Sequence, residues 1–321
     1  MNRFKNILYV SEDSVVQDAA IARAVSLANN NQAELTVISV MEEIPEGIGI
    51  PDDVSLSTDL QTLIQTEHYK SLELLVEPYK HQLNIKLEAL VGKRFIEVIR
   101  AVLRNDYDLV IKAAENPNWI DRLFGSDDMH LLRKCPCPVW FMKPGEKTNY
   151  KCIVAAVEFD PVNLNTVDDD LNKKILSLSS SLALSDFANL HLAHAWDAPE
   201  AGFVSLWADN PAEAEINVTE DEHIRHQRGM DLIYQNLHRQ MDEDAFKFIS
   251  PHVHLLKGLA AKEIPILVNK LDADLVVMGT VARTGVPGLI IGNTAEAILD
   301  QLKCSVLAVK PTEFVSPVTK D

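Results

Sequence analysis

Two stretches of this chain carry the same signposts in the same order, and a duplication at domain scale constrains the fold more than composition does. Lys5-Asn6-Ile7-Leu8 matches Lys151-Cys152-Ile153-Val154, and Glu12 matches Glu158. Leu35 to Val40 parallels Leu190 to Ala195, and Gly92 pairs with Gly258. Asp108-Leu109-Val110-Ile111 answers Asp274-Leu275-Val276-Val277, Gly125 answers Gly292, and Cys137-Pro138-Val139 answers Cys304-Ser305-Val306. Whatever the first half builds, the second is expected to build again.

Each half reads as five short apolar strands separated by helical segments, in the first half near 5–10, 33–40, 84–90, 108–112 and 138–142. Between them Val16, Ala20, Ala24 and Leu27 recur at helical spacing, as do Ile96, Ile99 and Val102. Strands alternating with helices predict an α/β chain: two tandem doubly wound five-stranded parallel-sheet domains, each sheet covered on both faces. The expected bounds are 1–147 and 148–313, with a tail over 314–321. Ligands of such sheets gather at the carboxyl ends of the strands. Two polar connections, 42–57 and 197–219, follow the second strand of each half. They read as loops, the commoner case, or as lids beside the expected cleft.

The chain of 321 residues is 47 % hydrophobic and 24 % charged, as a folded chain should be. Its formal charge of −17 repels a phosphate backbone, which argues against a nucleic acid or an anionic membrane as partner. The apolar start Ile7 to Val10 is too short for a signal sequence, and no apolar run approaches membrane-spanning length. The four cysteines follow no disulfide framework, so a reducing cytoplasm is expected.

The stretch Gly279 to Thr294 joins a buried strand, Asp274 to Met278, to a helix through a glycine-bearing loop. Asn293 is expected to cap that helix with Glu296 completing a capping box, leaving the amides of Gly292, Asn293 and Thr294 aimed at an anion. Neither GxxxxGK[ST] nor GxGxxG occurs, and no nucleophile or metal set stands out. His252 and His254 should share a strand face, whereas His191 and His194 should not. His223 and His226 read as a solvated helix face, and Cys135-Pro136-Cys137 as a structural turn with reduced thiols.

With these residues in view, the chain resembles the universal stress proteins, and among them the tandem two-domain members of the E type. The most specific parts are Gly279 to Gly285 with Gly292-Asn293-Thr294-Ala295-Glu296, and His130 to Trp140 in the first half. The resemblance implies the fold of that family and of the adenine nucleotide alpha-hydrolases, with the two domains paired as an intrachain pseudo-dimer, and a dimer of that unit as a further state. Nucleotide-binding members carry Gly-x2-Gly-x9-Gly-Ser/Thr; here Gly279 and Gly292 fit, while Ala282 and Asn293 depart from it. If position 282 needs a positive φ, alanine is strained there, and if glycine serves for close approach, a methyl group narrows the seat. Arg283 adds a cation, and Glu158 stands where the family uses aspartate.

The ligand implied is ATP with magnesium, or another small anion. Its site would be Ala156, Val157, Glu158, Ala195, Met278, Gly279, Ala282, Arg283, Gly292, Asn293 and Thr294. In the first half Ala113 replaces the leading glycine, Glu115 to Asn118 fill the loop, and Asp127 and Asp128 follow Gly125-Ser126, so ATP binding is not expected there. The implied role is a cytoplasmic stress-response sensor without catalysis. The alternatives are a weak ATP hydrolase, a binder of a partly apolar ligand near Val286, Leu289, Ile290, Ile291 and Trp207, and an interaction scaffold.

Overall fold

The computed structural model describes residues 4–44, 54–114, 127–143, 145–147, 149–281 and 291–320, with 54–59 as backbone alone. The chain divides into two compact units, one built on Met1–Thr148 with Arg283–Ile291 and Glu313–Asp321, the other on Asn149–Ala282 and Gly292–Thr312.

In the first unit the strands are β1 (Asn6–Val10), β2 (Glu34–Met41), β3 (Ile85–Val91), β4 (Leu109–Ala113) and β5 (Val139–Met142). Its helices are α1 (Asp18–Asn31), α2 (Val54–Val76), α3 (Arg94–Asn105) and α4 (Asp127–Lys134). The strands lie parallel in the order β3-β2-β1-β4-β5. In the second unit β6 (Cys152–Ala156), β7 (Asn189–Trp196), β8 (His252–Lys257), β9 (Leu275–Gly279) and β10 (Ser305–Val309) repeat that plan as β8-β7-β6-β9-β10, again parallel. α5 (Asp170–Asp186), α6 (Pro199–Ser205), α7 (Pro211–Gln240), α8 (Glu243–Ile249), α9 (Ala260–Leu271) and α10 (Asn293–Leu299) complete it. The five-strand expectation holds in both units, with strand limits within about a residue of the apolar runs.

The duplicated signposts turn out to be structural fasteners. Asp108 Oδ2 accepts the N–H groups of Lys5 (2.7 Å) and Asn6 (3.3 Å), tying β4 to the start of β1. Asp274 Oδ2 does the same for Lys151 (2.6 Å) and Cys152 (3.0 Å) at β6. Gly92 and Gly258 take φ of 143° and 134° in the turns after β3 and β8, conformations that side chains rarely adopt. An added Cβ there would meet Cγ of Glu97 or Glu263 at 2.9 Å.

Apolar side chains do the rest. Phe95, Val98, Ile99, Ala101 and Val102 form the buried stripe of α3, and Ala20, Ala24 and Leu27 that of α1. Val16 does not join them: it precedes α1 and is exposed, because the helix begins only at Asp18. The connection 197–219 is not the irregular loop expected but largely helical; Pro199 and Pro211, at first-turn positions that suit proline, open α6 and α7 within it. Its counterpart at 42–57 lies largely outside the described residues. Among the described residues no helix is long and apolar enough to cross a membrane.

Candidate functional site

In the second unit β7 and β8 lie on one side of β6, and β9 and β10 on the other, so the order in which parallel strands are added reverses between β6 and β9. Crossovers leave the sheet on opposite faces there, opening a crevice at the carboxyl ends. Ala156 and Met278 are register partners at this point. Val157 N–H donates to the Ala193 carbonyl (3.0 Å), carrying the backbone one residue past β6. Buried Asn172 of α5 then clamps Glu158: its Nδ2 donates to the Glu158 carbonyl (2.8 Å) and its Oδ1 accepts the Glu158 N–H (3.4 Å). The bend is thereby fixed, and the Glu158 side chain stands exposed at the crevice.

Across the crevice Gly279 ends β9 beneath α5, where an added Cβ would lie 2.7 Å from Leu171 Cδ2. Next to it Thr280 is buried, and its hydroxyl accepts from the buried Lys310 ammonium at 3.4 Å. The Thr280 carbonyl accepts the Gly292 N–H at 3.1 Å. This corrects the expectation of three open amides, because Gly292 has spent its own on closing the loop. It also corrects the cap: Gly292 is the N-cap of α10, Asn293 is already helical, and no side-chain cap bond forms. Asn293 and Thr294 are exposed in the first turn, Ala195 is half-buried at the end of β7, and Ala282 and Arg283 lie outside the described residues, as do Val286, Leu289 and Ile290.

The corresponding point of the first unit is built differently. The register that sets Asp108 on Asp274 puts Lys112 where Met278 stands. Lys112 is fully buried, with its Nζ 2.6 Å from Asp128 Oδ1 and 3.5 Å from Glu12 Oε2, and Arg94 Nη1 bonds Glu12 Oε2 at 2.8 Å. Asp127 and Asp128 do occupy the first turn of α4 as expected. Asp128, however, chiefly answers a buried cation. The loop 115–126, with Gly125-Ser126, lies outside the described residues.

Histidines supply the third element. His194 Nδ1 lies 3.1 Å from the Val157 carbonyl, and its Nε2 lies 2.9 Å from His226 Nδ1. A carbonyl only accepts, so His194 donates from Nδ1 and accepts at Nε2, and neutral His226 donates from Nδ1. His226 Nε2 then faces Glu222 Oε2 at 3.9 Å. Burial lowers the His226 pKa, opposed by Glu222 and Asp160. Phe159 stacks on His194 with ring centroids 4.0 Å apart.

On the other face of β7, His191 Nδ1 meets His254 Nε2 at 2.8 Å and the ring of His252 stacks 4.9 Å away. Burial, then the neighbouring His254, pushes His191 down to about 4. As expected, His191 and His194 do not share a face. The reading of His226 as part of a solvated face is corrected, since it is buried and hydrogen-bonded. Among the described residues no three His, Cys, Asp or Glu side chains are grouped to hold a metal.

The family model described as the universal stress protein family matches the chain twice, over residues 3–143 and 150–310. The chain belongs to the universal stress protein family. It is 29 % identical to the universal stress protein E homolog of Haemophilus influenzae, over 97 % of this chain and 99 % of that one. It is 26 % identical to universal stress protein E of Photorhabdus laumondii, over 99 % and 98 %. A solved structure of a functionally unknown protein from Pseudomonas aeruginosa PAO1 matches with a TM-score of 0.68 and 25 % identity, covering 98 % of this chain and 95 % of that one.

Within this tandem universal stress protein, the structure brings Ala156, Val157, Glu158, Met278, Gly279 and Gly292 to one end of the sheet. Sequence reasoning missed Lys310 and Lys112. The signal for Lys310 was in the repeat, where Val309-Lys310 answers Met142-Lys143 at the end of the fifth strand. Lys112 was visible as a charge inside an otherwise apolar strand. Cys135 and Cys137 are buried with sulfurs 3.7 Å apart, consistent with the structural turn, and the hydrogen bond with Cys135, then burial, pushes the Cys137 thiol up.

Proposed function

We propose that the second domain, residues 148–313, binds a nucleotide resembling ATP, with magnesium, or another small anionic ligand. The first domain, residues 1–147, is its degenerate, chiefly structural counterpart. The protein acts in this reading as a cytoplasmic sensor or regulatory module rather than an enzyme. The observation that carries it is the contrast between equivalent crevices: Glu12, Lys112, Asp128 and Arg94 neutralise one another in the first. The second keeps an exposed Glu158 on a clamped backbone and an apolar Met278 where the lysine would be.

The ribose side fits such a ligand, because a carboxylate held at the end of β6 can accept from two hydroxyls. On the phosphate side the buried Lys310 supplies positive charge beside Thr280, and the first turn of α10 has no side-chain cap competing for its amides. The Gly292 amide is subtracted, spent on the Thr280 carbonyl.

Native mass spectrometry of the protein with and without magnesium and ATP tests the reading, with Glu158→Ala and Asn293→Asp alongside. One nucleotide per chain, lost in either variant, is expected. An unchanged mass with ATP, or an adduct that survives both substitutions, would overturn it.

A further inference from the structure

Helix α6 is amphipathic in the wrong sense for a helix that merely packs. It buries Ala201, while Phe203 is 66 % exposed, and the turn that continues it leaves Leu206 77 % and Trp207 81 % exposed. Leu206 N–H donates to the Phe203 carbonyl (3.3 Å) and Trp207 N–H to that of Val204 (3.1 Å), so the helical path runs on to Trp207. These i to i+3 bonds make the extension a 3-10 turn, which sets Leu206 over Phe203 with Trp207 beside it, all three exposed. α6 packs on α7, whose second turn adds Ile216, 67 % exposed. The three side chains on α6 and its extension present on the order of 500 Å² of surface, the size at which an exposed patch signals an interaction site.

The charge along this segment of the chain is one-sided. Between Asp197 and Ile224 the chain has eight Asp and Glu and neither Lys nor Arg, although it carries 30 of those elsewhere. Glu200, Asp209, Glu213 and Glu215 are exposed and flank the apolar side chains in sequence.

We propose that α6 and the start of α7 form a docking surface for a cationic amphipathic helix of a partner protein, with its apolar face on Phe203, Leu206 and Trp207 and its Lys or Arg residues on the acidic rim. Charge complementarity selects this occupant. An anionic membrane would meet the acidic rim with repulsion. A second copy of this chain, docked through the same patch, would set acid against acid.

The test uses the full chain and three synthetic helical peptides in ~150 mM salt, where remote charges are screened. One is Leu/Lys amphipathic, one has the same charge with Ser in place of Leu, and one is Leu/Glu. Calorimetry should detect the Leu/Lys peptide, with the Ser/Lys peptide at least tenfold weaker and the Leu/Glu peptide silent. Phe203→Ser with Trp207→Ser should weaken binding at least tenfold at an unchanged melting temperature, since both side chains are solvent-exposed. Glu213→Lys with Glu215→Lys should weaken it without touching the apolar patch.

Equal affinity for the Leu/Lys and Ser/Lys peptides, no binding, or binding unaffected by both double variants would overturn the proposal. So would Trp207-dependent binding to phosphatidylcholine/phosphatidylglycerol vesicles without peptide binding, which would assign the patch to a membrane. Concentration-dependent dimerisation lost in Trp207→Ser would assign it to a second copy.

Discussion

Replacing Lys112 by methionine gives the first unit the residue that the second carries at Met278, and it tests how far the buried ion cluster stabilises the first unit. Lys112 neutralises Asp128 at 2.6 Å and shares Glu12, at 3.5 Å, with Arg94. Breaking a buried pair by removing one partner typically costs about 3–5 kcal/mol, because a charge is left in a medium that solvates it poorly. Two features of this site reduce that figure. Glu12 keeps the Arg94 guanidinium at 2.8 Å. Asp128 keeps the amino-terminal end of α4, worth up to ~2 kcal/mol in partly buried geometry. The expected loss for Lys112→Met is therefore about 2–3 kcal/mol, and Asp128→Asn on top of it should recover at least ~1 kcal/mol by removing the stranded charge. Urea unfolding of the single and double variants, followed with the two units' transitions fitted separately, measures both quantities. A single variant within about 0.5 kcal/mol of the natural chain, or a double variant no better than the single, would refute the reasoning.

Two further perturbations reach the histidine side of the second unit. Gly229 of α7 is packed so closely that an added Cβ would lie 2.0 Å from Phe159 Cε2. Gly229→Ala must displace the ring that stacks on His194; overpacking at about 1–3 kcal/mol outweighs the ~1 kcal/mol gain in helix propensity, and a melting temperature unchanged or raised would contradict this. Acid should destabilise the same unit through His191, held at about 4, and through His254 and His226, lowered by burial. Their depressed values favour the neutral folded form, so the unfolded chain takes up protons first. Stability is complete above ~6.5 and falls as pH drops toward about 4, where folded His191 protonates as well. With screening at the partly open edge formed by β8, the loss from His191 is about 1–2 kcal/mol across that window. His191→Gln should flatten the difference between pH 7 and 5 in chemical unfolding, and an unchanged slope would count against the mechanism.

The strands were legible because Val, Ile and Leu runs such as Leu275-Val276-Val277 occur where both sheet faces are covered, and helices were legible wherever one stripe is buried, as in α3. The connection after β7 misled because Pro, Gly and Asp signal both loops and helix starts; Pro199 and Pro211 belong to the second kind. Asn293 misled similarly. Its side chain suits an N-cap, yet Gly292, whose N–H bonds the Thr280 carbonyl, is the N-cap and the helix starts one residue earlier. Of the candidate site, the ends of β6 and β9 could be read from the repeat, whereas Lys310 could not be placed beside Thr280 without the sheet.

The sequence by itself determined the duplication, five strands in each half, the buried stripe of helices such as α3, and the family, because these rest on local periodicity and on motifs a few residues long. The repeat also marked Asp108 and Asp274 as equivalent positions before the fourth strand, and the structure showed them to be the fasteners. Tertiary structure alone decided which charges meet. Glu12, Arg94, Lys112 and Asp128 are far apart in the chain and converge only at the β1/β4 crevice. His191 with His254, and His194 with His226, become pairs because alternate residues of one strand face opposite layers, and the layer each meets is chosen by the crossovers.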